Sequence, residues 1–191
     1  MKIEMDKDFR GNAYIIQNED VLLKFSGGFA DLANEIPNTL NTRLATASMG
    51  KTFVAVGILQ LIEAGKLKFE DTLGDILDIN LKSIDPGVTV EDIVKFWKGL
   101  IGHKLLSEKM VSAMFSKQSG DGKDPEEGYY GYGVWIIDNL DGQDYVYMQG
   151  IDDGVSAISE YNPNNGMITV MLSNYGDNVW SRMRKVRKEM Y

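Results

Sequence analysis

The chain has 191 residues, 43% hydrophobic and 25% charged, the balance of an ordinary globular protein with a single sizeable core. Its 20 Lys and Arg stand against 28 Asp and Glu, and a net charge of −8 argues against a phosphate-tracking surface and so against nucleic acid as a partner. With no cysteine and one histidine, His103, the sequence excludes disulfides, thiolate ligands, a Cys nucleophile and a His-cluster metal site, and it leaves any Ser-His-Asp triad to that one imidazole; no cofactor is implied.

The opening stretch MKIEMDKDFR alternates charge with single apolar residues and has neither an h-region nor a transit-peptide pattern. The longest strongly apolar stretch, Phe53 to Ile62, is about ten residues, roughly half of what a bilayer demands. The expectation is a chain with no signal peptide and no membrane span, cytoplasmic as written.

Two β-rich runs, Ala13 to Ile16 and Val21 to Phe25, flank the polar turn Gln17-Asn18-Glu19-Asp20 and predict a hairpin. Gly27-Gly28 then opens a loop to about Ala45, rich in Asn, Thr and Gly. From Ser48 to about Ala64 apolar residues cover nearly every face of a helical wheel, which predicts a helix buried on most sides and stopped by Gly65. Residues 69–81 read as a short irregular or weakly helical connection and 83–87 as a turn. Thr89 with Asp92 forms a capping-box start, followed at helical spacing by Ile93, Val94, Trp97, Leu100 and Ile101. A second amphipathic helix from Ser107 carries Met110, Val111, Met114 and Phe115 on one face, and residues 119–128 form an acidic loop.

Beyond that loop the period changes to two. Strands are expected over 130–137, 145–148, 155–161 and 167–172, separated by the turn signals Asp141-Gly142, Asp153-Gly154 and Pro163-Asn164-Asn165-Gly166. Residues 177–191 read as a closing helix with Val179, Trp180, Met183 and Val186 on one face. Strands at both ends with helices between them predict an α+β domain.

The residues most able to carry chemistry are Ser48-Met49-Gly50-Lys51, an S-x-x-K at the start of the first helix. Three residues apart on a helix is one face, so the amine can reach the hydroxyl and accept its proton once desolvation favours the neutral form. The helix N-terminus adds a positive dipole end and free N–H groups for an oxyanion. As a bare string the motif equally describes a capping serine and a surface lysine.

Its surroundings weigh toward chemistry. The run Thr42-Arg43-Leu44-Ala45-Thr46-Ala47-Ser48-Met49-Gly50-Lys51-Thr52-Phe53, continued by Gly57 to Leu67, resembles the active-site helix of the serine β-lactamase and penicillin-binding superfamily, most closely its class C β-lactamase, D-alanyl-D-alanine peptidase and esterase branch. The likeness extends through Gly27-Gly28-Phe29-Ala30-Asp31, Asp71 to Leu77, Tyr130-Gly131-Tyr132-Gly133-Val134-Trp135 and Met167 to Asn174. It implies acylation of Ser48 with Lys51 as base. The family's third motif, Lys or His, any residue, then Gly, matches Met148-Gln149-Gly150, with a second glycine at Gly154; Gly150 and Gly154 fit and Met148 does not. The resemblance implies that the N–H of Ile151 joins that of Ser48 in the oxyanion hole. The second motif, Tyr-x-Asn or Ser-x-Asn, has no match, and Asn80 to Val88 passes almost directly into Thr89, where a helical lobe normally intervenes.

The resulting expectation is one domain over 1–191, an α/β sandwich with an antiparallel sheet of about five strands, the N-terminal hairpin joined to the C-terminal strands, helices on both faces and a shortened junction near 80–89 in place of the lobe. Two functions fit: a reduced serine hydrolase acting on β-lactams, D-Ala-type peptides or esters, or a non-catalytic domain that keeps the frame without an assembled site. A monomer or weak homo-oligomer is expected. Weaker candidates read as bland: His103 as an exposed or capping residue; Asp121, Asp124, Glu126 and Glu127 as a solvated loop; Arg182, Arg184, Lys185, Arg187 and Lys188 as a polar helix face. The aromatics Tyr129, Tyr130, Tyr132 and Trp135 read as sheet packing that could line a cleft.

Overall fold

A computed structural model describes residues 5–71, 87–120 and 128–190. The acidic run from Asp121 to Glu127, the 72–86 part of the expected connection and turn, and most of the 80–89 junction lie outside the described residues.

The N-terminal hairpin forms as the sequence predicts, from β1 (Gly11–Gln17) and β2 (Asp20–Gly27), with Asn18 in the left-handed region at the turn. The stretch expected to be loop contains three short strands, β3 (Phe29–Asp31), β4 (Ile36–Pro37) and β5 (Leu44–Ala45), of which β5 pairs with β6 (Gly87–Val88). Helix α1 spans Gly50–Glu63 and is entered through a 3-10 turn, Ala47–Met49. Helix α2 (Val90–Ile101) starts on the predicted box, Thr89 accepting from the Asp92 N–H while the Asp92 carboxylate accepts from that of Thr89. Helix α3 is Glu108–Met114, capped by Ser107, and α4 is Val179–Met190.

The expectation of about five strands is too low. Among the described residues the main sheet has seven strands, all antiparallel, in the order β2, β1, Met167–Ser173, Val155–Asn162, Gln143–Asp152, Trp135–Leu140, Tyr129–Tyr130. The run 130–137 read as one strand is two: β7 (Tyr129–Tyr130) folds back on β8 (Trp135–Leu140), with Tyr130 opposite Trp135 and Gly133 at φ +81° in the turn. Alternating aromatics concealed that break. Strands β9 (Gln143–Asp152), β10 (Val155–Asn162) and β11 (Met167–Ser173) complete the sheet, and β1 pairs with β11, joining the two ends of the chain as expected.

Because side chains alternate across a strand, neighbours go to opposite cores. Tyr14, Ile16, Val146 and Met148 pack with α1, α2 and α3, whereas Ala13, Ile15, Tyr145 and Tyr147 pack with α4. Trp97 of α2 is fully buried in the first core and its indole donates to Ser159 Oγ on β10 at 2.7 Å. Helix α1 departs from expectation. Val56 and Leu59 are buried, but Val54, Ile58 and Leu61 are exposed, since an all-round apolar helix laid on one sheet face still turns a side outward. No described helix is long and apolar enough to cross a membrane.

Candidate active site

The serine lies where α1 begins. Ala47 takes a left-handed φ of +46°, uncommon for a residue with a Cβ, and the Met49 N–H closes the turn onto Thr46 O at 3.1 Å. The following turn of helix brings the Lys51 Nζ to 2.7 Å from Ser48 Oγ, the contact that i, i+3 spacing predicts. Both residues are exposed, whereas Met49 between them is buried and anchors the turn.

Strand β9 runs against this turn at Gly150. A Cβ there would fall 2.2 Å from Thr46 O and 2.7 Å from the Ser48 nitrogen, so only glycine lets the two backbones approach this closely. The β7–β8 turn closes the other flank, where Thr52 Oγ1 donates to Gly133 O at 2.6 Å and a Cβ on Gly133 would strike that of Ala55 at 2.4 Å.

These elements enclose a cleft of about 590 Å³ that brings together every residue singled out from the sequence: Ser48, Lys51, Met148, Gln149, Gly150 and Ile151. Met148 is 1% exposed and belongs to the first core, so it gives the floor a thioether rather than a cation. Ile151 is 69% exposed at the edge of the cleft. Tyr130 and Trp135 line the cleft, edge to face at 4.9 Å, as the aromatic alternative allowed. Sequence reasoning missed Thr52, Ser119 and Trp180, which also line it. Ser119 had been grouped with the acidic loop and Trp180 with the apolar face of α4. Nothing local distinguishes either from a packing residue.

The weaker candidates lie elsewhere. His103 is exposed, at φ +57° just past the α2 C-terminus. Arg187 corrects the reading of a polar helix face: its side chain is 11% exposed and its guanidinium bonds Glu160 of β10, itself 1% exposed, through Nε at 2.9 Å and through NH2. Burial pushes the Glu160 carboxyl above the usual range, and the Arg187 charge and hydrogen bonds pull it back down. Among the described residues Glu160 Oε1 has no hydrogen-bond partner.

The family model for Beta-lactamase matches residues 5–95, which include the serine turn and all of α1. The chain is 27% identical to penicillin-binding protein 4* of Bacillus subtilis (strain 168) over 164 residues, 79% of this chain. In sequence over this stretch and in fold, the chain is similar to the serine β-lactamase and penicillin-binding superfamily. Among superfamily structures, the penicillin-binding protein from Bacillus halodurans superposes with a TM-score of 0.81 at 20% identity, over 94% of this chain and 95% of that one. The D-amino acid amidase from Ochrobactrum anthropi SV3 does so at 0.66 and 13%, over 85% of each chain. At those identities the likeness is one of fold. The chain spans between 24% and 34% of the length of the curated superfamily relatives it matches.

Proposed function

We propose that the protein is a serine acyl hydrolase of the β-lactamase and penicillin-binding type, in which Ser48 is acylated and Lys51 is the base. The observation that carries this is the 2.7 Å contact between Lys51 Nζ and Ser48 Oγ inside the cleft. The neutral amine takes the hydroxyl proton as Oγ attacks the substrate carbonyl, the negative charge moves to the carbonyl oxygen, and the N–H groups of Ser48 and Ile151 receive it. Collapse expels the leaving group, which takes a proton, and leaves an ester on Ser48 for water to cleave. The sequence holds no Tyr-x-Asn or Ser-x-Asn to relay that proton, and a reading in which the helical lobe is absent leaves Lys51 open to water. Activated esters, whose leaving groups need little protonation, are therefore the best substrates; β-lactams acylate slowly and peptides are hardly turned over.

A second reading, a non-catalytic frame, is favoured by the same missing motif and by Met148 in place of a cation. A fluorophosphonate and a labelled penicillin separate the two by intact mass. One adduct on the parent and none on Ser48→Ala supports the hydrolase; no adduct after long exposure to high reagent overturns it.

A further inference from the structure

Helix α1 turns an uncharged apolar stripe to solvent. Val54, Ile58 and Leu61, at spacings of four and three, lie on one side of it and are 63%, 46% and 41% exposed, while Thr52, Val56 and Leu59 on the opposite side are buried. Large apolar side chains adjacent on one face make a patch of the kind that marks an interaction surface. The patch continues beside the helix into a groove of about 670 Å³ lined by Ile58, Leu61, Ile62 and Phe69, and Phe69 is itself 48% exposed. Gly57 sits within the stripe. A glycine in mid-helix weakens the helix relative to alanine, and a Cβ at Gly57 would meet nothing within 4 Å, so packing inside the chain does not call for it.

The spacing of the stripe is its own mirror, because Val54 and Leu61 stand equally far from the midpoint between Gly57 and Ile58. A two-fold rotation through that midpoint sets two copies of α1 antiparallel. Val54 then meets Leu61 of the second copy, and Ile58 lies over its Gly57, where the missing side chain lets the helices approach closely. The same arrangement sets the positive end of each helix dipole beside the negative end of the other. No charged residue stands between Val54 and Leu61, so the contact itself carries none of the net charge of −8. We propose that this face of α1 is a self-complementary dimer interface, occupied by a second copy of the chain packed antiparallel across Gly57 and Ile58. A lipid surface or an unrelated protein would cover the same side chains, but neither would call for a mirrored spacing with a glycine at its centre. Val54 also borders Ser48 and Lys51 in a shallow depression, so the second copy lies beside the candidate site. The inference does not depend on acylation of Ser48.

Sedimentation velocity on the full chain across the micromolar range tests this. The parent is expected to approach twice the mass of one chain, with a dissociation constant below about 100 μM. Ile58→Glu puts two carboxylates close to the axis and should stay monomeric with an unchanged far-UV circular dichroism spectrum. Gly57→Leu fits the open space of the monomer and raises helix propensity, so its Tm should not fall at concentrations where the parent is monomeric, while its dissociation constant rises at least about tenfold. The chain has no cysteine, which makes the register readable by cross-linking. Val54→Cys and Leu61→Cys proteins should form a disulfide-linked dimer faster when mixed than either does alone under air oxidation. A parent that stays monomeric at every concentration, whatever else covers the face, overturns the proposal. So does association of Gly57→Leu and Ile58→Glu equal to that of the parent, or faster linkage within one cysteine variant than in the mixture.

Discussion

At the scale of single residues, the site depends on a hydroxyl, an amine and a glycine. Lys51→Met removes the group that receives the Ser48 proton and should lower kcat/KM by about two to four orders of magnitude. Steady-state kinetics on a 4-nitrophenyl ester check this; unchanged turnover in Lys51→Met would remove Lys51 from the chemistry. Gly150→Ala makes a sharper structural prediction. Its methyl meets backbone atoms of Thr46 and Ser48 rather than a movable side chain, so the serine turn must be pushed off the sheet. A loss of about 1–3 kcal/mol in denaturant unfolding, with loss of fluorophosphonate labelling, is expected. The spacing of Ser48 and Lys51 was legible because helix geometry is local. The need for glycine at 150 is a contact between segments a hundred positions apart, and the sequence pointed to it only through family resemblance.

At the scale of elements, α4 is fastened to the sheet by a buried charge pair and α2 by a buried tryptophan. Arg187→Met strands Glu160 among apolar neighbours and should cost about 3–5 kcal/mol at neutral pH. The pH dependence has a definite sign. Removing the arginine lets burial raise the folded-state carboxyl further above its unfolded value near 4.3, so the protonated form fits and the ionised form does not. The deficit of Arg187→Met should therefore be small near pH 4 and grow as pH rises, and adding Glu160→Gln should remove that growth; thermal melts across pH measure both. Trp97→Ala should cost about 3–5 kcal/mol at all these pH values, because it empties core volume and leaves Ser159 unpaired on that side. The cationic run in α4 looked like a solvated face because Lys and Arg usually are solvated. Period alone does not reveal that one of them has a carboxylate waiting beneath it on β10.

For the molecule as a whole, charge sets how stability responds to acid. Four aspartates are held below the usual carboxylate range: Asp6 by Lys185, Asp31 by Asn34, Asp92 by Thr89, and Asp177 by Arg10, whose hydrogen bonds there outweigh the desolvation. A group with a lowered folded-state value contributes stability above its unfolded value, about 3.9, and loses it as pH falls through the folded one. Their joint contribution should decline below about pH 4, and Asp92→Asn should remove its own share, seen as a shallower fall of Tm with acid. Asp6 and Asp92 are partly open to solvent, so added salt should weaken their share, whereas Asp177 is mostly buried and should be screened less. Parent and Asp92→Asn melts of identical acid dependence would show that the capping carboxylate is not part of it.

By itself the sequence determined the order of the helices and longer strands, the β1–β2 hairpin and the turns between β8 and β11, the capped start of α2, the two-sided strands and the serine–lysine pair, because each follows from a period of two or 3.6, a turn residue or a spacing of three. That the N-terminal hairpin joins the C-terminal strands was also expected, though not which strand β1 would pair with. What only the tertiary structure decided was how far the sheet extends, which side of the apolar helix α1 stays exposed, that Arg187 lies buried on Glu160, and that Trp180 reaches from α4 to Gln149. Each of these depends on contacts between residues far apart in the chain, whose free energy comes from excluding water between surfaces that meet only after folding.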